Sequence, residues 1–384
     1  MTASQQPSPP PRLPISVLTG FLGSGKTTLL SRLIRDPAMA RTAVVINEFG
    51  EVGLDHLLVA KADENTVLMD SGCICCTIRS DLADTLRDLY MKRLRGEVPE
   101  FDRVVIETTG LADPAPILHT LMTDPLVASR FRLDGVVTTI DAVHGSGQLD
   151  GHVESLKQAA VADRLVLTKT DIADASTTAA LKARLKAVNP AATQVDAQAD
   201  AALPVLLFDA GLYNPATKSL DVQRWLRAEA YEADAHAHDH HDHAHCDHDH
   251  GHCAHGHDHA HEHGHDGHGH HDHAHDPNRH GDSIRSFCLT RERPVGWDDL
   301  VGFFETVAQL QGQNLLRVKG LLNVRESDRP IVIHGVQHLF HPPVQLDAWP
   351  TEDRRTRIVF IVKDVERATV EALFDACVAR QDAA

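Results

Sequence analysis

The 384-residue chain has few aromatics, only 4% Phe, Trp and Tyr, so its cores must be packed mainly from aliphatic side chains. It also has no excess of basic charge. The formal net charge is −17 at pH 7, and no Lys/Arg-rich block offers a local exception. Nucleic-acid partners, which need a basic footprint to neutralise phosphates, are therefore not expected. No apolar run approaches the roughly 18 residues that would span a bilayer, so no membrane partner is expected either. Residues 1–13 are rich in Pro, Gln and Ser and lack a basic start followed by an apolar stretch. They read as a disordered leader rather than a secretory signal, which points to a cytoplasmic protein. The seven Cys are odd in number, and three of them crowd into Cys73, Cys75 and Cys76, poorly placed to bridge one another. That excludes a disulfide scaffold and leaves those thiols for metals or catalysis.

The length of the chain favours two folded units and a linker. Short aliphatic runs at 15–19, 42–47, 66–69, 103–106, 135–140 and 164–168 read as buried strands, and amphipathic stretches at 27–35, 80–94 and 179–188 read as helices between them. This alternation predicts an α/β fold with a doubly wound, mostly parallel sheet over residues 14–232. Residues 233–282 hold almost no large apolar side chain and should form a disordered linker. Residues 283–384 show a β-α-β-β-β-α pattern, with strands at 283–290, 314–324, 330–340 and 356–362, and predict a small α+β C-terminal domain.

Gly20-Phe21-Leu22-Gly23-Ser24-Gly25-Lys26-Thr27 fits the pattern G-x-x-x-x-G-K-[ST] between a predicted strand and a predicted helix. In such a loop the glycines let backbone N–H groups wrap a phosphate, the lysine reaches the β/γ oxygens, and the Thr hydroxyl ligates Mg²⁺. Gly20, Gly23, Ser24, Gly25, Lys26, Thr27 and the adjoining Thr28 are thus the candidate nucleotide-binding residues. Glu107 ends the Val104–Ile106 strand, where a P-loop enzyme needs an acid near the Mg²⁺ and its waters. It joins Lys26 and Thr27 as the candidate catalytic set.

Base choice is read from Thr168-Lys169-Thr170-Asp171 at the end of another strand. Asp171 can accept from the two donors on the guanine edge, which adenine does not present, and the Lys169 stem can cover the ring. The usual signature begins with Asn where this chain has Thr168. GTP is favoured over ATP on the strength of Lys169 and Asp171.

Cys73, Cys75 and Cys76, on what reads as a loop freed by Gly72, can converge as soft ligands on Zn²⁺. Cu⁺, Co²⁺ and Ni²⁺ are the other candidates. The segment Asn47-Glu48-Phe49-Gly50-Glu51-Val52-Gly53 ends a predicted strand and is the candidate switch region, where Glu48 or Glu51 could supply an oxygen ligand. Further along, 21 of the 28 His lie between His236 and His280, with Cys246 and Cys253 inserted and nine carboxylates set against Arg279. Neutral imidazoles at that density make a low-selectivity metal reservoir.

Together these pieces resemble the CobW-type GTPases, a SIMIBI-class family of metallochaperones that includes relatives of the nickel-inserting hydrogenase and urease accessory GTPases, and in particular its zinc-chaperone members. The resemblance is carried by Thr19–Thr28, Asn47–Glu51, Gly72–Cys76, Glu107–Gly110 and Thr168–Asp171, and in the C-terminal region by Gly320-Leu321-Leu322 and Gly335-Val336-Gln337-His338. It implies slow intrinsic GTP hydrolysis, zinc held at the Cys trio, GTP-dependent transfer to a client apo-metalloprotein, and homodimerisation in some members. Two rival readings are a His-rich metal buffer with a residual nucleotide domain and a metal-independent P-loop ATPase.

Overall fold

Val- and Ile-rich runs that alternate sides become the strands of a nine-stranded sheet in the computed structural model, which describes residues 12–47, 58–63, 66–69, 74–77, 81–198, 203–208 and 284–378, the three short segments between 58 and 77 by backbone alone. The strands are β1 (Leu13–Gly20), β2 (Thr42–Asn47), β3 (Leu58–Asp63), β4 (Thr66–Met69), β5 (Ile74–Thr77), β6 (Arg103–Thr108), β7 (Phe131–Asp141), β8 (Arg164–Thr168) and β9 (Thr193–Asp196). They lie in the order β3-β4-β5-β2-β6-β1-β7-β8-β9. Only the β3–β4 and β4–β5 pairings are antiparallel; the remaining neighbours are parallel. The helices in this part of the chain are α1 (Lys26–Leu33), α2 (Leu82–Arg95), α3 (Ala115–Thr123), α4 (Pro125–Arg130), α5 (Gly145–Gly151), α6 (Val153–Val161), α7 (Ala175–Val188) and α8 (Leu203–Leu207).

The period of two along β2 shows why the sheet is covered on both faces. Ala43 and Val45 belong to the core shared with Leu82, Leu86 and Leu89 of α2. Val44 and Ile46 belong to the opposite core, with Leu29, Leu30 and Leu33 of α1. The expected α/β doubly wound, mostly parallel sheet is the observed one.

The C-terminal domain contains β10 (Ile284–Arg291), α9 (Trp297–Gln311), β11 (Leu315–Leu322), β12 (Ile331–Val336), β13 (Leu339–Phe340), β14 (Val344–Gln345), β15 (Thr356–Lys363) and α10 (Arg367–Val378). Its strands form an antiparallel sheet in the order β10-β15-β11-β12-β13, with β14 paired to β12. Helices α9 and α10 cover one face, where the Phe303 and Phe374 rings meet edge to face at 5.0 Å. The other face supplies Ile284, Leu316 and Ile361 to a core completed by residues of α5, α6 and α7. Val336 joins the core built around α2 and α3.

At this junction Asp163 is fully enclosed. It accepts the Val136 amide at 2.9 Å and bonds of 3.0 and 3.2 Å from Arg317, and the Lys319 ammonium binds it as well. Burial pushes its carboxyl up, but the two cations and the amide pull it well below the usual carboxylate range.

Two expectations are corrected. Residues 330–340 are not one strand: the chain reverses at Gln337 and His338, with Gln337 at φ 54°, and separates β12 from β13. Residues 74–77 are not a loop. Their backbone pairs with both β2 and β4, placing Cys75 opposite Val44 and Cys76 opposite Val45, so that a partner strand on each side satisfies the backbone hydrogen-bonding groups of strand β5. Cys73, Glu48, Glu51 and the 233–282 segment with Cys246 and Cys253 lie outside the described residues. Among the described residues, no helix is long and apolar enough to cross a membrane.

Candidate functional site

The candidate nucleotide loop joins β1 to α1 at the centre of the sheet, flanked by the C-terminal ends of β6 and β7. Gly23 and Gly25 have φ of 71° and 87°, a region that L side chains rarely enter, which accounts for glycine at both positions. Gly25 is the N-cap of α1 and brings no side-chain cap, so the first-turn N–H groups remain directed toward an anion. Lys26 is buried, and its ammonium donates to the Gly20 and Phe21 carbonyls at 3.0 and 3.3 Å. Thr28 is exposed on the first turn of the helix.

Glu107, at the end of β6, is 1% exposed and accepts the Thr27 hydroxyl at 2.7 Å. An alcohol and a carboxylate oxygen 80 residues apart in sequence are thus joined at the mouth of the loop. This is a hard-oxygen donor set that fits Mg²⁺. The segment after Glu107 is fastened from two directions. Thr108 donates to Thr19, and the Gln158 amide donates to the carbonyls of Gly110 and Ala112 at 3.2 and 2.9 Å.

Thr168 takes a place that its sequence pattern did not disclose. Its hydroxyl lies 2.7 Å from the Ser24 carbonyl, and its side chain sits beneath Gly25, so it ties the end of β8 to the candidate phosphate loop. Ser24 is held a second time by the Thr139 hydroxyl of β7 at 2.6 Å. Lys169 has φ 58°, and its ammonium pairs with the buried Asp141 at 2.6 Å. Burial raises Asp141, but Lys169 and the amides of His144 and Val143 outweigh it and lower the carboxyl. Asp171 stays exposed, with the Gln198 amide 3.3 Å away.

Asp141, Thr139 and Gln158 support the site and were missed by sequence reasoning. Asp141 had a readable signal: it ends β7, and in a parallel sheet the carboxyl ends of neighbouring strands surround the ligand crevice. Gln158 had none, since its role depends on how α6 docks. Among the described residues, no group of three or more His, Cys, Asp or Glu could hold a metal ion.

A parallel sheet that presents such a loop between its central strand and the following helix, with an acid on the neighbouring strand end, defines a P-loop nucleotidase. Residues 14–196 match the CobW/HypB/UreG nucleotide-binding domain family, and residues 284–378 match the cobalamin synthesis protein cobW C-terminal domain. The chain belongs to the CobW-type SIMIBI GTPase family. It is similar to the zinc chaperone YjiA of Escherichia coli, with 42% identity over 159 residues, covering 41% of this chain and 50% of that one. It is also similar to the zinc chaperone CobW of Pseudomonas aeruginosa, with 30% identity over 229 residues, covering 51% and 60%. These alignments span about half the length of the curated relatives. The solved Zn(II)-bound YjiA GTPase of E. coli aligns with 96% of this chain and 99% of its own, with a TM-score of 0.67 and 27% identity.

Proposed function

We propose that the protein hydrolyses GTP slowly and uses the cycle to hold zinc and release it to a client apo-metalloprotein. The observation that carries this reading is the 2.7 Å contact between Thr27 and Glu107, which joins the phosphate loop to the strand leading into the 108–113 segment. In this reading Gly20, Gly23, Ser24 and Gly25 wrap the phosphates with backbone N–H groups, Thr28 adjoins them, and Lys26 turns from loop carbonyls to the β/γ oxygens. Thr27 and Glu107 hold Mg²⁺ directly or through its water, and the ion supplies charge neutralisation at the phosphates. Asp171 reads guanine, and Lys169, anchored on Asp141, covers the ring.

The cargo would sit at Cys73, Cys75 and Cys76, with Glu48 or Glu51 as an oxygen ligand, and Co²⁺ or Ni²⁺ could take the same thiols. The two named zinc chaperones among the relatives support zinc as the metal. Handover needs a difference in zinc affinity between the GTP and GDP states; tenfold corresponds to about 1.4 kcal/mol. A homodimer and a cytoplasmic location complete the proposal.

The test is zinc affinity by chelator competition in GDP and in a non-hydrolysable GTP analogue, using a chain lacking 234–282 so that the His-rich stretch cannot compete. A tenfold difference that disappears in Cys75→Ala supports coupling. Equal affinities would remove the thermodynamic basis for GTP-driven handover by this chain and favour the metal-buffer reading.

A further inference from the structure

The two parts of the chain meet at a pair of histidines that the nucleotide site does not use. His119 lies on the exposed side of α3, the helix that follows the 108–113 segment. His338 is the exposed residue of the two-residue turn between β12 and β13. Their ring centroids are 6.1 Å apart and the rings are tilted by 50°, which is not stacking geometry. Zn–N bonds are about 2.0–2.1 Å and a ring nitrogen lies about 1.1–1.2 Å from its own centroid, so a ligating ring holds its centroid about 3.2 Å from the ion. Two rings on one ion therefore stand about 5.2 Å apart at a tetrahedral angle and about 6.4 Å apart when opposed; the observed 6.1 Å lies between these limits, wider than the tetrahedral spacing by about 1 Å.

The hydrogen bonding of His119 also suits a ligand tautomer. The Thr123 hydroxyl donates its one proton to the His119 carbonyl at 3.0 Å, and the same oxygen lies 3.3 Å from Nδ1. With its proton on the nearer carbonyl, that oxygen accepts from the ring, an arrangement that has the ring proton on Nδ1 and the Nε2 lone pair available. Metal-binding histidines are commonly held in this way by a partner on the other ring nitrogen. On the opposite side, the base of His338 is seated against Gly312 at the end of α9, where an added Cβ would come within 2.9 Å of the His338 Cβ. Val336, two residues earlier, is buried in the core shared with α3, so the two rings are carried by elements already packed together.

We infer that His119 and His338 form a second site for a divalent transition-metal ion, separate from the thiols and bridging the nucleotide domain to the C-terminal domain. Two imidazoles supply two ligands, and water or a donor from a partner protein completes the shell, so the site takes exchangeable Zn²⁺, Ni²⁺ or Cu²⁺ rather than a permanently enclosed ion. The bound ion ties α3 to the β12–β13 turn.

The test is hydrogen exchange of the full chain, with Zn²⁺ alone as the probe, following peptides that cover 115–124 and 331–341. Saturating Zn²⁺ is expected to slow exchange at least fivefold in both peptides. His119→Gln and His338→Gln should each abolish the slowing at both peptides while leaving the metal-free exchange pattern unchanged, since both side chains are exposed. Thr123→Val, which keeps the ring but removes its partner, should raise the Zn²⁺ concentration for half-protection about tenfold. Absence of slowing in the wild type, or equal slowing in both His variants, would overturn the site.

Discussion

Asp163→Asn should be among the most damaging single-atom changes available in this molecule. The carboxylate accepts two bonds from Arg317, one from Lys319 and one from the Val136 amide, and the three ionic side chains are at least nine-tenths buried. Removing the negative charge leaves two buried cations that repel each other, and loss of one partner from a buried ion cluster costs about 3–5 kcal/mol. At roughly 2–4 °C per kcal/mol for a unit of this size, the thermal midpoint should fall by about 6–20 °C. Thermal and urea unfolding followed by far-UV circular dichroism reads the loss directly. A triple variant, Asp163→Leu with Arg317→Met and Lys319→Met, provides the control, because replacing a whole buried ion cluster by apolar groups is often neutral. If Asp163→Asn costs less than about 1 kcal/mol, or is no worse than the apolar triple variant, the cluster does not act as a charge-balanced unit and the reasoning fails.

The same cluster predicts an alkaline response. Burial lowers the Lys319 ammonium from 10.5 to about 8, with Asp163 opposing the shift and Arg317 adding to it. Between those values the unfolded chain holds a proton that the folded chain has released, so stability should rise with pH across that window, by at most on the order of 3 kcal/mol. Urea midpoints of the wild type should show the rise and those of Lys319→Met should not. Gly110→Ala would put a Cβ within 2.8 Å of the Leu22 backbone, so nucleotide affinity measured with a fluorescent GDP should fall at least tenfold. Thr168→Val keeps the shape but removes the hydroxyl at the Ser24 carbonyl; a lost buried bond of this kind costs about 1–3 kcal/mol, readable as weaker nucleotide binding or a lower melting point.

The legible part of the fold was the part with periodicity. The alternation in Thr42–Asn47 and the glycine spacing around Lys26 were enough to anticipate a doubly wound sheet with a phosphate loop, because both depend on local geometry. Strand β5 was read as a loop because Gly72 and three thiols look irregular in sequence, whereas its parallel pairing to β2 is a tertiary contact with a strand separated from it in the chain by two others. Thr168 looked like a defect in a guanine signature. Its contact with Ser24, 144 residues away, is a tertiary fact that no spacing rule contains. Asp163, Arg317 and Lys319 carried no signal for the same reason: each is an ordinary charge until two sheets bring them together.

Strand β8 behaves as a ruler. Asp163 stands immediately before its first residue and Lys169 immediately after its last, and β7 and β9 hold it on either side. An extended strand cannot lengthen, and a slip of one residue would turn every side chain to the other face. The distance from the domain junction to Lys169 and the adjoining Asp171 is therefore set by the number of residues in β8. Inserting or deleting one would misplace Asp163 and Lys169 together, whereas the loops beyond either end can change length without disturbing that separation.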